Sequence, residues 1–295
     1  MEKLVTVLTP TYNRKKEISN LYESLTKQTD NRFIWLVIDD GSTDDTENLI
    51  LEFQKTAKFK ISYIKKCNGG KHTALNLGFS LVKTELTIIV DSDDVLTPDA
   101  IEQICNKADY IRKHNLAGVA FLRGYNESKC IGDEFPGDEV IMNDIDVRLK
   151  KGVSGDKSEV WRSDILRRYQ FPVFEGEKFQ GENYVWWQIA REYNMLYVNK
   201  IIYITEYLEG GLTRSGRKLR IKNPLGGLEN SKMAFYPEFP LKARIKCGLL
   251  YCAYGFFAKK KIRNLIEESG SPIMILSLLP FGKILHLYWL KRYEK

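Results

Sequence analysis

The sequence has few of the residues that build disulfide or zinc frameworks. It contains five cysteines and three histidines among 295 residues. No two cysteines form a C-x-x-C pair, and the histidines lack the spacing of metal ligands. We therefore expect reduced thiols in a cytosolic protein, and neither a disulfide scaffold nor a zinc site.

Long hydrophobic runs are also missing. No stretch of eighteen or more uninterrupted apolar residues occurs, which argues against a transmembrane helix. The first ten residues, "MEKLVTVLTP", lack the apolar core and the cleavage site of a signal peptide. Hydrophobic residues make up 43% of the chain and charged residues 28%, which is typical of a globular protein. The net charge of +7 suits an anionic ligand, an anionic membrane surface or nucleic acid, without choosing among them.

The first 125 residues alternate between β-rich apolar runs and helical patterns. Strands are predicted at 4–8, 33–38, 60–64, 86–90 and 117–123, and helices at 14–29, 71–82, 97–114 and after Asp44. Asp44 and Glu47 predict a capping box, and Thr97 with Pro98 predicts the start of another helix. The alternation indicates an α/β fold with a mostly parallel sheet. Ligands of such sheets bind at the carboxyl ends of the strands.

The rest of the chain is less regular. Residues 126–160 have little periodicity and are interpreted as an irregular segment that returns to the sheet. Helices are predicted at 163–172 and 181–194, a strand at 196–204, and a basic, loop-rich stretch at 212–240. The last 55 residues combine apolar, aromatic and basic side chains in a helical pattern.

Three aspartates follow the fourth predicted strand, in "VDSDD" at 90–94. Carboxylate oxygens are the ligands that Mg²⁺ and Mn²⁺ prefer, and such ions keep other positions for water and substrate phosphates. Asp91, Asp93 and Asp94 therefore indicate either a divalent metal site or a solvated acidic turn. Taken alone, so short a motif does not decide between the two.

Polar loops also follow the first three strands, as "TPTYNR" (9–14), "DDGSTDDT" (39–46) and "NGGKHTALNLG" (68–78). Together with "DSDD", in this order and spacing, they resemble the family 2 glycosyltransferases of the GT-A fold. The resemblance is specific over residues 3–125 and weaker over 126–210. It is closest to bacterial enzymes that build capsule, O-antigen or teichoic-type glycans. The resemblance implies inverting transfer of a sugar from a nucleotide diphosphate to an acceptor hydroxyl.

The resemblance also implies roles for residues at the nucleotide. Thr9 and Tyr12 match positions that line the nucleoside pocket, where a tyrosine ring can stack on a base. Asp39 and Asp40 match the pair that recognises base and ribose, with Asp40 favoured as acceptor of the base N–H. The implied donor-binding set is Thr9, Pro10, Tyr12, Asp39, Asp40, Asn68, Lys71, Asn76, Asp91 and Ser92. The implied donor is a UDP-sugar.

At the diphosphate, the resemblance places Lys71, whose ammonium group offsets phosphate charge. Asp93 is the favoured direct ligand of Mn²⁺ or Mg²⁺. Asp91 is expected at the ribose, at a metal-bound water or as a second ligand, and Asp94 could exchange roles with either.

Inverting transfer requires a general base on the acceptor side. The family places an acidic residue at the start of a helix after D-x-D, often in a Glu-Asp pair that this chain lacks. Glu182 is favoured because it opens an aromatic-rich helix, and Asp156 is the competing candidate. Glu175 and Glu177 also remain open.

The C-terminal segment has the composition of a segment that binds a membrane surface. Its apolar run at 272–281 is too short to span a bilayer, while basic helices with aromatic residues suit the membrane interface. We expect a catalytic domain at 1–225, with a nucleotide-binding half at 1–125 and an acceptor-side half at 126–225. A helical extension follows at 226–295. The expected location is cytoplasmic, on the inner face of the plasma membrane, with a lipid-linked glycan as acceptor.

Two other functions are compatible with parts of this sequence. A nucleotidyltransferase acting on sugar phosphates usually carries a glycine-rich loop after its first strand, and "TPTYNRKK" has no glycine. A non-catalytic module that binds sugar nucleotides or glycans also stays open. The acidic clusters oppose binding of a nucleic-acid backbone at this edge.

Overall fold

A computed structural model of the chain describes residues 2–205 and 212–293. These residues form two compact units, the first made of 2–170 and 192–205, the second of 171–191 and 212–293. The units do not coincide with the expected division at residue 225, because 171–191 group with the C-terminal helices. The extents of a catalytic domain and of an extension stay a prediction.

The sheet of the first unit begins with four parallel strands in the order β3-β2-β1-β4. They are β1 (Val5–Thr11), β2 (Phe33–Asp39), β3 (Lys60–Lys65) and β4 (Leu86–Ile89). All four were predicted from their apolar, β-branched runs. Since they run in parallel, the loops that follow them meet at one edge of the sheet.

The other half of the sheet is mixed in direction. Its strands are β5 (Asp94–Leu96), β6 (Gly118–Asn126), β7 (Lys129–Cys130), β8 (Glu139–Met142), β9 (Lys157–Arg162) and β10 (Met195–Thr205). Strand β9 lies antiparallel between β4 and β6, and β10 pairs in parallel with β6. The irregular segment therefore returns to the sheet as predicted. Its strand β9 makes the sheet mixed, where a mostly parallel one was expected.

Helices cover both faces of the parallel strands. They are α1 (Lys15–Thr26), α2 (Thr46–Thr56), α3 (Lys71–Leu81), α4 (Ala100–Lys113) and the short α5 (Ser163–Leu166). Residues Ile18, Ile50 and Ile104 of α1, α2 and α4 share one hydrophobic core with Val5 and Val7. Helix α3 lies on the other face, where Gly78 approaches Leu8 so closely that a Cβ would be 2.6 Å from its Cδ1.

Two predicted helix caps were wrong. The chain around Thr97 still belongs to the sheet, because its N–H donates to the carbonyl of Ile202. Helix α4 therefore begins after Asp99. The predicted capping box is also not formed: Asp44 accepts the N–H of Thr46, while Glu47 pairs with a lysine of β3. The predicted helix at 163–172 is limited to α5.

The second unit is helical. Its helices are α6 (Asn183–Ala190), α7 (Leu212–Lys222), α8 (Pro224–Lys232), α9 (Leu241–Phe257), α10 (Ile262–Glu268) and α11 (Pro272–Tyr293). The prediction of a loop-rich stretch at 212–240 was wrong, since α7 and α8 fall there. Within the described residues one helix, α11, is long and apolar enough to cross a membrane by length and composition. The length of this helix was not predicted from the apolar run at 272–281, because the helix continues through Pro280 and Lys283.

Candidate functional site

The loops after β1 and β2 are tied together by Asn13. Its side-chain oxygen accepts the N–H of Thr43 at 2.8 Å, and its own N–H donates to the hydroxyl of Ser42 at 2.9 Å. Asn13 has a φ of 51°, a left-handed conformation that asparagine tolerates better than most residues. This crosslink fixes the backbone around Tyr12, whose ring is 47% exposed at the loop surface.

The two aspartates at the end of β2 point to opposite faces of the sheet. Asp39 accepts the hydroxyl of Tyr63 at 2.5 Å and the N–H of Ser42 at 2.7 Å, on the side of α2. Asp40 points toward the loop before α3. Strand alternation imposes this separation, so the pair acts as two separate carboxylates.

Asp40 organises the loop between β3 and α3. Its two oxygens accept the N–H groups of Gly69 and Gly70 at 2.9 and 2.7 Å. It also forms an ion pair with Lys66 at 2.7 Å, and the side-chain amide of Asn68 donates to it at 3.2 Å. The carboxylate is almost fully buried and satisfied by these donors. Its proposed contact with a base stays a prediction, and its observed role is to hold this loop.

The loop delivers Lys71 to the aspartate motif. Gly70 precedes α3 with a φ of 95°, in a region that favours glycine. Lys71, the first residue of the helix, forms an ion pair with Asp91 at 2.6 Å between Nζ and Oδ1. Burial raises the pKa of Asp91, but the positive charges of Lys71 and Arg123 outweigh it and hold the pKa below its ordinary value. Asp91 is thus a carboxylate at neutral pH.

Asp93 differs from its neighbours because its carboxylate is only loosely paired. Its Oδ2 lies 4.0 Å from the guanidinium of Arg14. Burial and the negative charge of Asp91 raise the pKa of Asp93. Such a carboxylate gains most from a cation that arrives with a ligand.

Asp94 is a structural residue of the sheet. It lies in β5, opposite β10, and its Oδ2 accepts the hydroxyl of Tyr203 at 2.7 Å. Burial and the charge of Asp91 raise the pKa of Asp94 to about 7. The suggestion that Asp94 exchanges roles with Asp91 or Asp93 is therefore disfavoured by its inward orientation.

Tyr203 and Arg123 contact the aspartate motif at residues 91–94. Neither residue was singled out from the sequence. The Tyr203 hydroxyl also accepts the N–H of Asp91 at 3.0 Å. Burial raises the pKa of Tyr203 well above its ordinary value, so the hydroxyl stays protonated. The Arg123 guanidinium lies 4.1 Å from the centre of the Tyr203 ring and 3.9 Å from Asp94. The signal in the sequence was a charged residue ending an apolar strand, "AGVAFLR".

We expect Tyr203→Phe to lower the free energy of unfolding by about 1–3 kcal/mol, because a buried carboxyl and a buried N–H lose their partner. Donor binding should weaken several-fold as the motif loses its support. Tyr197→Phe is the matched control, because Tyr197 lies on the same strand as Tyr203. Its hydroxyl likewise donates to a carboxylate, that of Asp144, at 3.1 Å. Denaturant unfolding and donor titration measure both effects. Equal donor affinity for the two variants would contradict a supporting role for Tyr203.

The remaining candidates of the first unit are placed as follows. Thr9 is completely buried, and its hydroxyl accepts the indole N–H of Trp35 at 3.0 Å. Pro10 and Ser92 are buried, Asn76 is partly exposed on α3, and Asp156 is exposed before β9. Because Thr9 belongs to the core beside Trp35, a direct nucleoside contact would need its neighbours to move. Its role, like those of the others, stays a prediction.

The two candidate bases lie in different units. Asp156 is in the first unit, while Glu182 is in the second, directly before α6. The carbonyl of Glu182 accepts the N–H of Val185 at 3.1 Å, and the residue is partly exposed. Glu177 has a structural role, since its oxygens accept two N–H groups at the start of α8 at 2.8 Å each. This engagement makes Glu177 a poor candidate for the general base, and the choice between Glu182 and Asp156 stays a prediction.

The residues around Asp93 fit a small divalent ion that is shared with a phosphorylated ligand. In the described part of the chain, no group of three or more His, Cys, Asp or Glu side chains is arranged to hold a metal ion by itself. Asp91 and Asp94 are engaged by Lys71 and Tyr203, which leaves Asp93 as the loosely paired oxygen donor. Mg²⁺ is commonly held by one or two carboxylates plus water and substrate phosphates. This arrangement suits a metal that binds together with a diphosphate.

The family model for glycosyl transferase family 2 matches residues 6–160. An uncharacterized glycosyltransferase of Nostoc is 32% identical over 100 residues, which cover 34% of this chain and 31% of that protein. The chain thus matches less than a third of that relative's length. Glycosyltransferase GlyG of Streptococcus pneumoniae is 26% identical, covering 75% of this chain and 74% of the relative. WfgD of Escherichia coli, a UDP-Glc:α-D-GlcNAc-diphosphoundecaprenol β-1,3-glucosyltransferase, is 26% identical, covering 66% and 73%.

Solved structures show the same fold. Staphylococcus aureus TarS 1–349 in complex with UDP-GlcNAc has a TM-score of 0.61 at 17% identity, covering 95% of this chain and 90% of that one. The mannosyltransferase PcManGT of Pyrobaculum calidifontis, in complex with GDP-Man and Mn²⁺, has a TM-score of 0.58 at 18% identity, covering 99% and 83%. The predicted GT-A fold is confirmed by these similarities.

Proposed function

Because the chain belongs to glycosyltransferase family 2, we propose that it transfers one sugar from a nucleotide diphosphate sugar to an acceptor hydroxyl with inversion. The observation that carries this proposal is the ion pair between Lys71 and Asp91 beside the loosely paired Asp93. A cation and two carboxylates at the carboxyl edge of parallel strands match the charge pattern of a diphosphate with its metal ion.

The proposed donor is a UDP-sugar. Two similar proteins carry this donor class in their names, WfgD and the TarS complex with UDP-GlcNAc. Tyr12 offers an exposed ring for stacking on the base, and Asp39 and Asp40 end the strand beside it. PcManGT is in complex with GDP-Man, so the test of the donor includes both UDP- and GDP-sugars.

Lys71 is proposed to move from Asp91 toward the diphosphate when the donor binds. Its ammonium group then offsets the negative charge that develops on the departing nucleoside diphosphate. Asp93, with Asp91, would hold Mn²⁺ or Mg²⁺, which when bound supplies Lewis-acid stabilisation of the diphosphate leaving group. Asp94, Tyr203 and the half-buried Arg123 keep this part of the chain in place.

Glu182 is proposed as the general base that takes the proton of the acceptor hydroxyl. We expect Glu182→Gln to lower kcat by about 10²–10⁴-fold, the usual contribution of general-base catalysis, with donor affinity unchanged. Asp156→Asn is the matched control and should retain kcat within about threefold. Steady-state transfer and donor titration give both values. The reverse ranking would assign the base to Asp156, and two active variants would place it elsewhere.

The proposed acceptor is a lipid-linked glycan in the synthesis of a bacterial surface polysaccharide. The name of WfgD specifies a diphosphoundecaprenol acceptor, which supports this class. Such an acceptor lies at a membrane, and we propose a cytoplasmic protein that binds peripherally to the inner face of the plasma membrane. The basic C-terminal helices support this location.

Turnover of a donor panel distinguishes this function from its alternatives. UDP-, GDP- and dTDP-sugars are incubated with Mn²⁺, Mg²⁺ or EDTA, and release of nucleoside diphosphate is measured with and without undecaprenyl-diphosphate-sugar acceptors. We expect metal-dependent release of UDP. Formation of pyrophosphate from UTP and a sugar phosphate would indicate a nucleotidyltransferase. Donor binding without turnover on any acceptor would indicate a non-catalytic module.

A further inference from the structure

One face of α11 packs against the second unit. Its buried residues recur at alternating intervals of four and three: Ile275, Leu279, Gly282, His286 and Trp289. The contact with α9 is close, because a Cβ on Gly282 would lie 2.2 Å from the Cβ of Cys252. This stripe runs along most of the helix. Helix α11 is therefore held against α9 within the second unit by its inner face.

The opposite face of α11 is apolar as well, and it is exposed. Ile273 is 84% exposed, Ile284 64% and Leu276 61%. Only 28% of the most apolar 18-residue window is buried within the protein, which distinguishes α11 from a core helix. The exposed set is Ile273, Leu276, Phe281, Ile284, Leu287, Tyr288 and Leu290. Contiguous exposed apolar surface of this kind marks an interaction site.

The charge around this face is strongly positive. Residues 241–293 contain ten lysines and arginines and two glutamates. Their net charge of +8 exceeds the +7 of the whole chain, so the positive charge of the protein resides in these helices. On α11 itself, Lys283, Lys291 and Arg292 are exposed and no acidic residue is present.

We propose that the exposed face of α11 inserts into the headgroup region of an anionic phospholipid bilayer, with the helix lying in the membrane plane. Apolar residues flanked by lysine and arginine are the chemistry of interfacial helices, and each basic residue near an anionic leaflet strengthens binding. A helix held along its length by α9 cannot be surrounded by lipid, which argues against a spanning orientation. Pairing of two copies through this face would bring the same basic residues together, which is unfavourable.

The exposed face of α11 is thus the surface by which the protein would bind the membrane. This rests on the proposed membrane location and does not depend on sugar transfer. Flotation with vesicles tests it. The vesicles contain phosphatidylcholine with about 30% phosphatidylglycerol, or phosphatidylcholine alone, because an anionic leaflet attracts basic segments. We expect the purified chain to float with the anionic vesicles, at least tenfold more than with neutral ones, and to be released by 0.5 M NaCl as charges are screened.

Ile284→Glu with Leu287→Glu should reduce flotation at least tenfold, because both residues are on the exposed face. Leu51→Glu with Val173→Glu is the control, since these apolar residues are exposed on other surfaces. Circular dichroism and thermal unfolding verify that all variants fold. A third variant, with Lys283, Lys291 and Arg292 changed to glutamine, should lose the preference for anionic lipid.

Three outcomes would overturn the proposal. Flotation that is unchanged in the α11 glutamate variant would place lipid binding elsewhere. Dissociation of a dimer by the same variant in light scattering, with flotation unaffected, would identify the face as a self-association surface. Binding that resists both salt and alkaline carbonate would indicate a spanning helix. Turnover of a soluble donor is measured in parallel, so failure of membrane binding is distinguishable from failure of the transferase function.

Discussion

Asp93→Asn is expected to lower kcat for sugar transfer by about 10³-fold, because the loosely paired carboxylate is the one available to bind a metal ion with the diphosphate. The substitution preserves shape and removes only the charge. Asp93 is partly exposed, and its raised pKa shows that its ionised form is disfavoured in the protein without a cation. The free energy of unfolding should therefore be unchanged or slightly higher. Steady-state release of nucleoside diphosphate measures the loss.

Asp94→Asn is the matched control for this prediction. Asp94 has a pKa of about 7, so a neutral side chain resembles a state that the protein already populates. An asparagine oxygen can still accept the hydroxyl of Tyr203, which donates to Asp94 at 2.7 Å. We expect less than a tenfold loss of kcat. Equal losses in the two variants would contradict the distinct roles assigned to Asp93 and Asp94.

Lys71→Met is expected to weaken donor binding by about 10- to 100-fold, the range for one lost hydrogen bond to a charged group. Methionine keeps an unbranched side chain of similar length without the ammonium group. The change also leaves Asp91 without its ion-pair partner at 2.6 Å, so the repulsion of the diphosphate increases. Calorimetric titration with the donor measures the dissociation constant.

Lys65→Met controls for the loss of one positive charge. Lys65 lies on β3 and pairs with Glu47 on the surface, so its removal changes net charge equally and should leave the dissociation constant within about twofold. Lys71→Arg should recover part of the affinity. Donor binding within threefold of the native value in Lys71→Met would exclude the proposed contact with the diphosphate.

The parallel half of the fold could be predicted because each of its strands is indicated by its own short stretch of sequence. Each of β1 to β4 is an apolar, β-branched run followed by a polar loop, and parallel strands then bring those loops to one edge. Lys71 and Asp91 were expected there for this reason. The ion pair between them confirms that the structure brings them together, while their roles in catalysis stay predictions.

The contacts that hold the aspartate motif in place could not be predicted in the same way. Three neighbouring aspartates are chemically alike in sequence, and only the pairing of β5 with β10 turns Asp94 inward. Strand β9 was missed because "KSEVWR" carries charges in an irregular region. Lys157 is nevertheless buried there, since its ammonium group donates to three backbone carbonyls, at 2.6–3.1 Å. Such long-range satisfaction of polar groups depends on tertiary contacts.

Binding of UDP to the native chain and to Asp93→Asn, with Mn²⁺ and then with EDTA, tests sugar-nucleotide recognition at this edge most directly. We expect micromolar to millimolar binding by the native chain with Mn²⁺, at least tenfold weaker binding with EDTA, and no difference between the two conditions for Asp93→Asn. Binding of UDP by the native chain that is absent, or equally strong with Mn²⁺ and with EDTA, would contradict a metal-assisted diphosphate site at Asp93.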